Sequence, residues 1–392
     1  MTSATFLLAL SCAVLLFWSL LALDFRRWWP SRHCLPLSVV PDEEPIRDVC
    51  VAVPARNEED FVRRCLPSLL AQHRDFRQLI YVDDRSEDRT GEIARELLEA
   101  MGREAAAEVI DGGEPRRGWS GKLHALERAV SHACRGAGGD DIRWFLFTDA
   151  DILHPPGSVR ALRARADEGG YDVVSVMVRL RAESLAEKLL IPPFVYFFQL
   201  LYPFRRISEP TSRSAAAAGG CLLVSRDLLE RIGGLGAIRD AVIDDLTLAR
   251  RARDAGGRLW LGLCPSMESL RAYRGLGDVA AMVSRTAFAQ LHYSYLLLAG
   301  CWLALALFFV SPPVLCLVAL AAGEIPPLVA AGGAWALQSL TLYPVVRHQR
   351  VAAGYALTLP FAGALYLWMT ALSAWNHWRG RGVRWKGRRL GA

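Results

Sequence analysis

The chain of 392 residues has nine cysteines but no Cys-x-x-Cys pair. The cysteines fall at scattered spacings, and Cys12, Cys301 and Cys316 lie within apolar runs. Neither a zinc site nor a disulfide framework is indicated, and reduced thiols with a catalytic domain in the cytoplasm are expected. A glycine-rich phosphate loop is also missing. A dinucleotide-binding domain needs Gly-x-Gly-x-x-Gly directly after its first strand, and a P-loop needs Gly-x-x-x-x-Gly-Lys-Ser/Thr. Here the first strand candidate, residues 49–53, runs into Pro54-Ala55-Arg56-Asn57-Glu58. No glycine lets a helix N-terminus approach a pyrophosphate, so metal and side chains must handle phosphate charge. That disfavours a nucleotide-sugar oxidoreductase. The layout of a cleaved signal peptide is absent too, because positive charge follows the first apolar run instead of preceding it.

What is present is a mixed architecture. Apolar residues make up 52% and charged residues 22% of the chain, high for a soluble protein and low for one wholly in a membrane. Residues 4–23 are uncharged and just long enough to cross a bilayer, and Asp24, Arg26 and Arg27 follow. Residues 1–24 are therefore expected to be an uncleaved anchor with its C-terminal side in the cytoplasm. Pro30, Pro36, Pro41 and Pro45 mark residues 25–48 as a linker. About four transmembrane helices are expected in residues 291–376: one from Tyr295 through Val310, a pair within 314–346 around Glu324, Pro326 and Pro327, and a last one over about 353–375. Glu324 is expected in a short external loop. The basic residues Arg379, Arg381, Arg384, Lys386, Arg388 and Arg389 make 377–392 a cytoplasmic tail, which calls for an even number of crossings after the soluble domain. These basic clusters, Arg32 among them, read as anchors at an anionic leaflet, not as a nucleic-acid surface.

Between the membrane segments, strand-like and helix-like stretches alternate, which favours an α/β domain with a mainly parallel sheet and helices on both faces. Strand candidates are residues 49–53, 79–82, 108–110, 144–148, 173–178, 222–225 and 258–261. Helical spacing covers 58–72, and further helices are expected to begin near Ser86, Gly121, Ser158 and Asp244. Three acidic pairs punctuate this pattern. Asp83-Asp84 and Asp149-Ala150-Asp151 each close a strand-like run, and Asp244-Asp245 opens a helix-like one. Carboxylates at strand ends gather at one edge of an open α/β sheet, where such folds bind ligands. A cluster of them suits Mg²⁺ or Mn²⁺ on a diphosphate.

The runs Val53-Pro54-Ala55-Arg56-Asn57-Glu58, Val82-Asp83-Asp84-Arg85-Ser86-Glu87-Asp88-Arg89-Thr90 and Thr148-Asp149-Ala150-Asp151 carry a family pattern. It continues through Gly219-Gly220-Cys221, Ile232-Gly233-Gly234 and Ile243-Asp244-Asp245. In this order and spacing the segment 49–290 resembles the family 2 glycosyltransferases of the GT-A nucleotide-diphospho-sugar transferase fold. Gly118-Trp119-Ser120-Gly121-Lys122-Leu123, Leu190-Ile191-Pro192-Pro193-Phe194 and Ala215 to Cys221 are most similar to the bacterial hopene-associated members. The resemblance implies a multi-pass enzyme of a bacterial inner membrane that transfers a sugar from a nucleotide-sugar donor, with UDP as the carrier, to a hopanoid or related lipid. A polyprenyl-phosphate glycosyltransferase or polysaccharide synthase is the alternative of the same class, and a catalytically idle membrane scaffold the alternative outside it.

Carboxylates such as Asp83 and Asp84 can accept hydrogen bonds from a base N–H and ribose hydroxyls, with a helix N-cap as the competing role. The resemblance implies uridine recognition there, and nucleotide contacts for Pro54, Ala55, Arg56, Glu58, Lys122 and Asp149. Asp149 and Asp151, one residue apart, can reach one metal directly or through water. By family position Asp245 is the general base beside Asp244, giving inversion at the anomeric carbon, and Gly219, Gly220 and Cys221 lie on the acceptor side. Arg285 falls where many members carry Gln-x-x-Arg-Trp. The segment here, Met282-Val283-Ser284-Arg285-Thr286, lacks both Gln and Trp, which weakens the case for a processive synthase. His154 is expected as a turn residue and not a ligand. The aromatic stretch 189–204 is too short and too proline-interrupted for a span, and is expected as an interfacial segment of the catalytic domain or as a buried core helix.

Overall fold

The computed structural model describes residues 3–28, 33–37, 44–380, 384–385 and 388–389. Pro30, Arg32, Pro41, Arg381 and Lys386 of the expected linker and tail lie outside these residues. The chain divides into two compact units, one of residues 30–180 and 202–271 with the extreme C-terminus, the other of residues 1–29, 181–201 and 272–381.

The first unit is built on an eight-stranded sheet. Its strands are β1 (Val49–Ala55), β2 (Gln78–Asp83), β3 (Ala107–Asp111), β4 (Trp144–Thr148), β5 (Ile152–Leu153), β6 (Val173–Arg179), β7 (Cys221–Ser225) and β8 (Leu259–Ser269), in the order β3-β2-β1-β4-β7-β6-β8-β5. β3, β2, β1 and β4 are mutually parallel, as are β6 and β8, whereas β7 runs antiparallel to both β4 and β6. All seven predicted strands are present. The continuous apolar runs follow from burial on both faces: β1 is buried at every position. Each fully buried Val or Leu contributes about 1.5–3 kcal/mol relative to exposure, so Val49, Val51 and Val53 hold this strand firmly in the centre of the core.

Strand order reverses between β1 and β4, because successive strands step outward from β1 to β3 and then return to its other side. The carboxyl ends on either side of such a reversal leave a crevice. Ala55 ends β1, Asp83 ends β2 and Thr148 ends β4, so the first two acidic pairs open onto one edge.

Helices begin at Gly121, Ser158 and Asp244, as the sequence predicts, and residues 59–70 form the expected helix. The helix expected near Ser86 starts instead at Thr90. Asp83 Oδ1 accepts the Ser86 amide at 3.0 Å and Arg85 takes a left-handed φ of 55°, so residues 84–89 are held as a loop. The linker also departs from expectation. The Leu35 amide donates to Leu263 O at 2.8 Å, the Leu263 amide returns a bond to His33 O at 2.8 Å, and Leu35 enters the core. Its alternating backbone groups found partners on the edge of β8.

The second unit is helical. Helices Ser3–Trp28, Tyr295–Ala304 continued by Ser311–Ala322, Ile325–His348 and Leu359–Trp378 account for four segments long and apolar enough to cross a membrane. Their outward faces remain apolar: Leu296 is 82% exposed, and Leu303 and Leu317 each 67%. Such surface is stable only against another apolar medium. Three of these segments follow the soluble unit, against the about four expected. Pro312 and Pro313 do not divide the first of them, because a π-helical turn, Leu305–Val310, precedes them and they occupy the opening of the next helical stretch, where missing N–H groups cost little. Glu324 sits in the short turn after Gly323, as expected for a connecting loop.

Residues 189–204 are mostly helical despite their prolines. They fall in helix Leu185–Leu201, which belongs to the apolar unit, and in a separate short helix, Phe204–Ser208. Pro192 and Pro193 are buried inside the first helix, and Leu190 packs with Val279, Val283, Tyr366 and Met369. The Tyr366 hydroxyl donates to Leu190 O at 2.9 Å and the Glu187 carboxylate accepts the amides of Glu183, Ser184 and Tyr273. Tertiary packing thus overrides the proline penalty. Because the crossing-length helices expose apolar faces, the protein is expected to stay in the membrane pellet through both high-salt and alkaline washes. Release by salt alone would mean that it is held only by its basic residues.

Candidate active site

At the carboxyl edge of the sheet, acidic side chains converge on one lysine. Ser120 caps helix Gly121–Arg135 by accepting the Leu123 amide at 3.2 Å, and this sets Lys122 on the first turn. Its Nζ lies 2.8 Å from Asp149 Oδ1 and 3.6 Å from Asp244 Oδ2, and it donates to Gly219 O at 3.5 Å. Burial acts to lower the lysine pKa, but Asp149 and Asp244 outweigh it and hold the ammonium above its ordinary range. The carboxyl of Asp149 is raised by burial and by Asp151 and Asp244, against the opposing pull of Lys122.

Asp245 opens helix Asp244–Asp254. Its Oδ2 accepts the Gly219 amide at 2.7 Å and its Oδ1 the amide of Leu246 at 2.8 Å. Burial and the neighbouring Asp244 push its pKa up to about 7, with Lys122 and the two amides pulling the other way. Glycine at 219 leaves room for this approach, since a Cβ there would stand 3.0 Å from Asp245 Oδ2 and press on the carboxylate.

Asp151 faces a different cation. Arg271 Nε donates to Asp151 Oδ2 at 3.1 Å, Ser269 Oγ donates to the same oxygen at 2.8 Å, and Arg271 also forks onto both Glu58 oxygens at 2.7 and 3.0 Å. Arg271 was not foreseen. The signal available was only its place directly after β8, and pairing it with carboxylates 120 and 213 residues away needs the fold.

Several residues expected at the nucleotide also brace the scaffold. Pro54 and Ala55 are buried in β1. Arg56 donates to the carbonyls of Asp84 and Arg85, each at 2.8 Å, and to Glu87 Oε1 at 2.8 Å, so it braces the loop after β2. Asn57, with φ of 52°, completes the clamp through the Ser86 hydroxyl and the Glu87 amide. Glu58 is engaged by Arg271. Asp84 is wholly buried and its amide donates to Ala55 O at 2.8 Å; Asp83 keeps partial exposure at the edge. Gly219 and Gly220 act through their backbones. Cys221, expected on the acceptor side, is fully buried within β7, where burial pushes its thiol well above the usual range and it serves packing. Arg285 lies exposed on helix Leu276–Gln290 of the apolar unit.

The donor set suits a hard divalent cation. Asp149, Asp151, Asp244 and Asp245 outnumber Lys122 and Arg271, and burial together with acidic neighbours raises the carboxyls of Asp149 and Asp245. Among the described residues no group of three or more His, Cys, Asp or Glu side chains forms a cage. Mg²⁺ and similar ions are commonly held by one or two carboxylates and completed by substrate phosphates. The residues therefore fit a cation that arrives with a diphosphate.

His154 is no ligand here. It is buried, with Nε2 2.8 Å from Thr148 Oγ1 and Nδ1 3.3 Å from Ser158 Oγ, and burial lowers its pKa to about 3.

The sheet topology is that of the GT-A fold. A mannosyltransferase of Pyrobaculum calidifontis, solved in complex with GDP-Man and Mn²⁺, shares the fold at a TM-score of 0.55 and 23% identity, covering 95% of this chain and 98% of its own. Residues 50–233, within the first unit, match the family model described as glycosyl transferase family 2. Undecaprenyl-phosphate 4-deoxy-4-formamido-L-arabinose transferases are similar over this part. That of Klebsiella pneumoniae subsp. pneumoniae is 27% identical over 183 residues, 46% of this chain and 48% of the relative. That of Edwardsiella ictaluri is 30% identical over 147 residues, 36% of this chain and 41% of the relative. The chain thus spans about half the length of the curated relatives it matches.

The buried neutral histidine has a consequence for stability. An unfolded histidine titrates near 6.5, so between about 6.5 and about 3 the unfolded chain binds the extra proton and the folded chain does not. The contribution is full above 6.5 and shrinks as pH falls. Thermal unfolding in detergent across pH 7 to 5 is expected to show acid destabilisation that is shallower in His154→Gln.

Proposed function

We propose that this chain is a membrane-bound inverting glycosyltransferase that moves a sugar from a nucleotide-sugar donor to a lipid hydroxyl. The observation that carries the reading is Asp245, a carboxylate at the ligand-binding edge with its pKa pushed up to about 7. A general base works best when its pKa lies near the operating pH. The acceptor oxygen attacks the anomeric carbon from the face opposite the nucleotide, its new bond to carbon forming as the bond to the diphosphate breaks. Asp245 takes the hydroxyl proton, and the nucleoside diphosphate leaves with the bonding pair. One displacement inverts the centre, so no carboxylate nucleophile is needed.

Asp149 and Asp151 would hold Mg²⁺ or Mn²⁺, and a bound ion supplies positive charge against the departing diphosphate. Lys122 presents a second positive charge at the same edge. Asp83, at the end of β2, is the residue best exposed to meet the nucleoside. A UDP-sugar donor, a hopanoid or related acceptor and an inner-membrane location rest on the motif resemblance. A base tuned in this way disfavours the idle-scaffold alternative.

A second reading has specific support. The bacterial relatives are named for transfer to undecaprenyl phosphate. A phosphate acceptor brings its own anionic oxygen and asks little of a base, so the two readings differ in how far they depend on Asp245.

Lipid profiles of cells carrying the wild-type gene, a deletion and Asp245→Asn separate them. For a hydroxyl acceptor, Asp245→Asn lowers turnover by about 10²- to 10⁴-fold, leaves donor affinity nearly unchanged, and removes the same glycolipid that the deletion removes while its aglycone accumulates. A phosphate acceptor predicts a loss under about tenfold, and an unchanged profile in Asp245→Asn beside an altered one in the deletion returns the scaffold. In vitro, turnover is expected to fall as pH drops through about 7, because the base must be ionised, and to level off above it. A rate independent of pH from 5 to 8 contradicts the assignment.

A further inference from the structure

The peptide that aims Asp245 is itself held from beneath by buried hydroxyls. The Thr148 hydroxyl donates to Gly220 O at 3.0 Å, and the Asp149 amide donates to the same carbonyl at 3.1 Å. One residue back, Gly219 turns its amide to Asp245 and its carbonyl to Lys122. On the other side, Ser175 Oγ accepts the Ala218 amide at 2.8 Å and lies 3.1 Å from Ala218 O. Residues 218–220 are therefore fixed between β4 and β6, and the orientation of Asp245 depends on them.

Thr148 has a single hydroxyl proton, which goes to Gly220 O. Its oxygen must then accept from His154 Nε2, 2.8 Å away. With that assignment the neutral imidazole carries its proton on Nε2, and Nδ1 lies 3.3 Å from Ser158 Oγ, which also lies 3.2 Å from Gln72 Oε1. Gln72 Oε1 still receives the Val159 amide at 3.2 Å, and the His154 amide is tied to Ser68 Oγ at 3.0 Å. Nε2 of the ring thus meets the Thr148 hydroxyl, and the rest of the imidazole is held by Ser158. Thr148, His154 and Ser158 are all nearly or wholly buried, so solvent does not substitute for any of these bonds.

We propose that Thr148, oriented by neutral His154, is a positioning residue that sets the Gly219–Gly220 peptide and through it the direction of Asp245. The inference rests on the reading of Asp245 as the base, and it adds residues that touch neither donor nor acceptor. A small error in the angle of a base is costly when reacting atoms must meet within about 3–3.5 Å.

The test compares Thr148→Val, which keeps the shape and removes the donor, with Thr148→Ser, which restores it, in the full-length protein. Thr148→Val is expected to lower kcat by roughly 10- to 100-fold while KM for the nucleotide-sugar stays within about twofold, and Thr148→Ser to recover most of the rate. Amide hydrogen exchange over residues 218–220 is expected to speed up in Thr148→Val only. If valine is not tolerated, Thr148→Ala reads the same contrast. A Thr148→Val protein with wild-type kcat and wild-type exchange overturns the proposal, and so does a serine variant as impaired as the valine one. Should the wild-type protein transfer no sugar at all, the functional reading fails, and the exchange measurement still decides whether Thr148 holds the loop.

Discussion

Lys122 is the cation around which the acidic edge of the sheet is assembled. Its ammonium stands 2.8 Å from Asp149 and 3.6 Å from Asp244, and its removal would leave like charges facing one another with little water between them. One lysine does not balance this cluster. Burial, with the neighbouring carboxylates, raises the carboxyls of Asp149 and Asp245, and the acidic excess at this edge suits a metal–diphosphate ligand. Arg271 plays the corresponding part for Asp151 and Glu58, so the two halves of the aspartate pair are held by different cations, one on a helix and one just beyond β8.

The geometry of the cluster depends on backbone as much as on charge. Gly219 lets Asp245 come within 2.7 Å of an amide, and left-handed residues Asn57 and Arg85 fold the loops after β1 and β2 against each other. Positive φ at a non-glycine residue is uncommon and stores strain that surrounding contacts must sustain. Here Arg56 sustains it, donating to two carbonyls of the second loop from a nearly buried position.

The apolar unit poses a different physical problem. Its helices expose leucine on their outer faces while satisfying buried hydroxyls internally, as Tyr196 with Thr341 and Tyr366 with Leu190 O. In hydrocarbon an unpaired polar group costs several kcal/mol, so such pairs let polar side chains remain among the helices.

The sequence by itself determined the strands, the alternation that makes the fold α/β, and the three acidic pairs, because apolar periodicity and strand-end carboxylates are local properties. It also placed the helix starts at Gly121, Ser158 and Asp244 correctly. It could not distinguish which carboxylate of Asp83-Asp84 faces solvent, since neighbours on a strand end differ only in the direction the pleat gives them. Nor could it assign Arg56 and Glu58 to bracing, find Arg271, or show that Cys221 points into the core. The same holds for Pro192 and Pro193, which read as helix breakers until packing in the apolar unit supplies what their missing N–H groups forgo. Those outcomes were decided by tertiary structure, because each depends on a partner contributed by a distant strand or helix, and only folding sets which charges and amides meet.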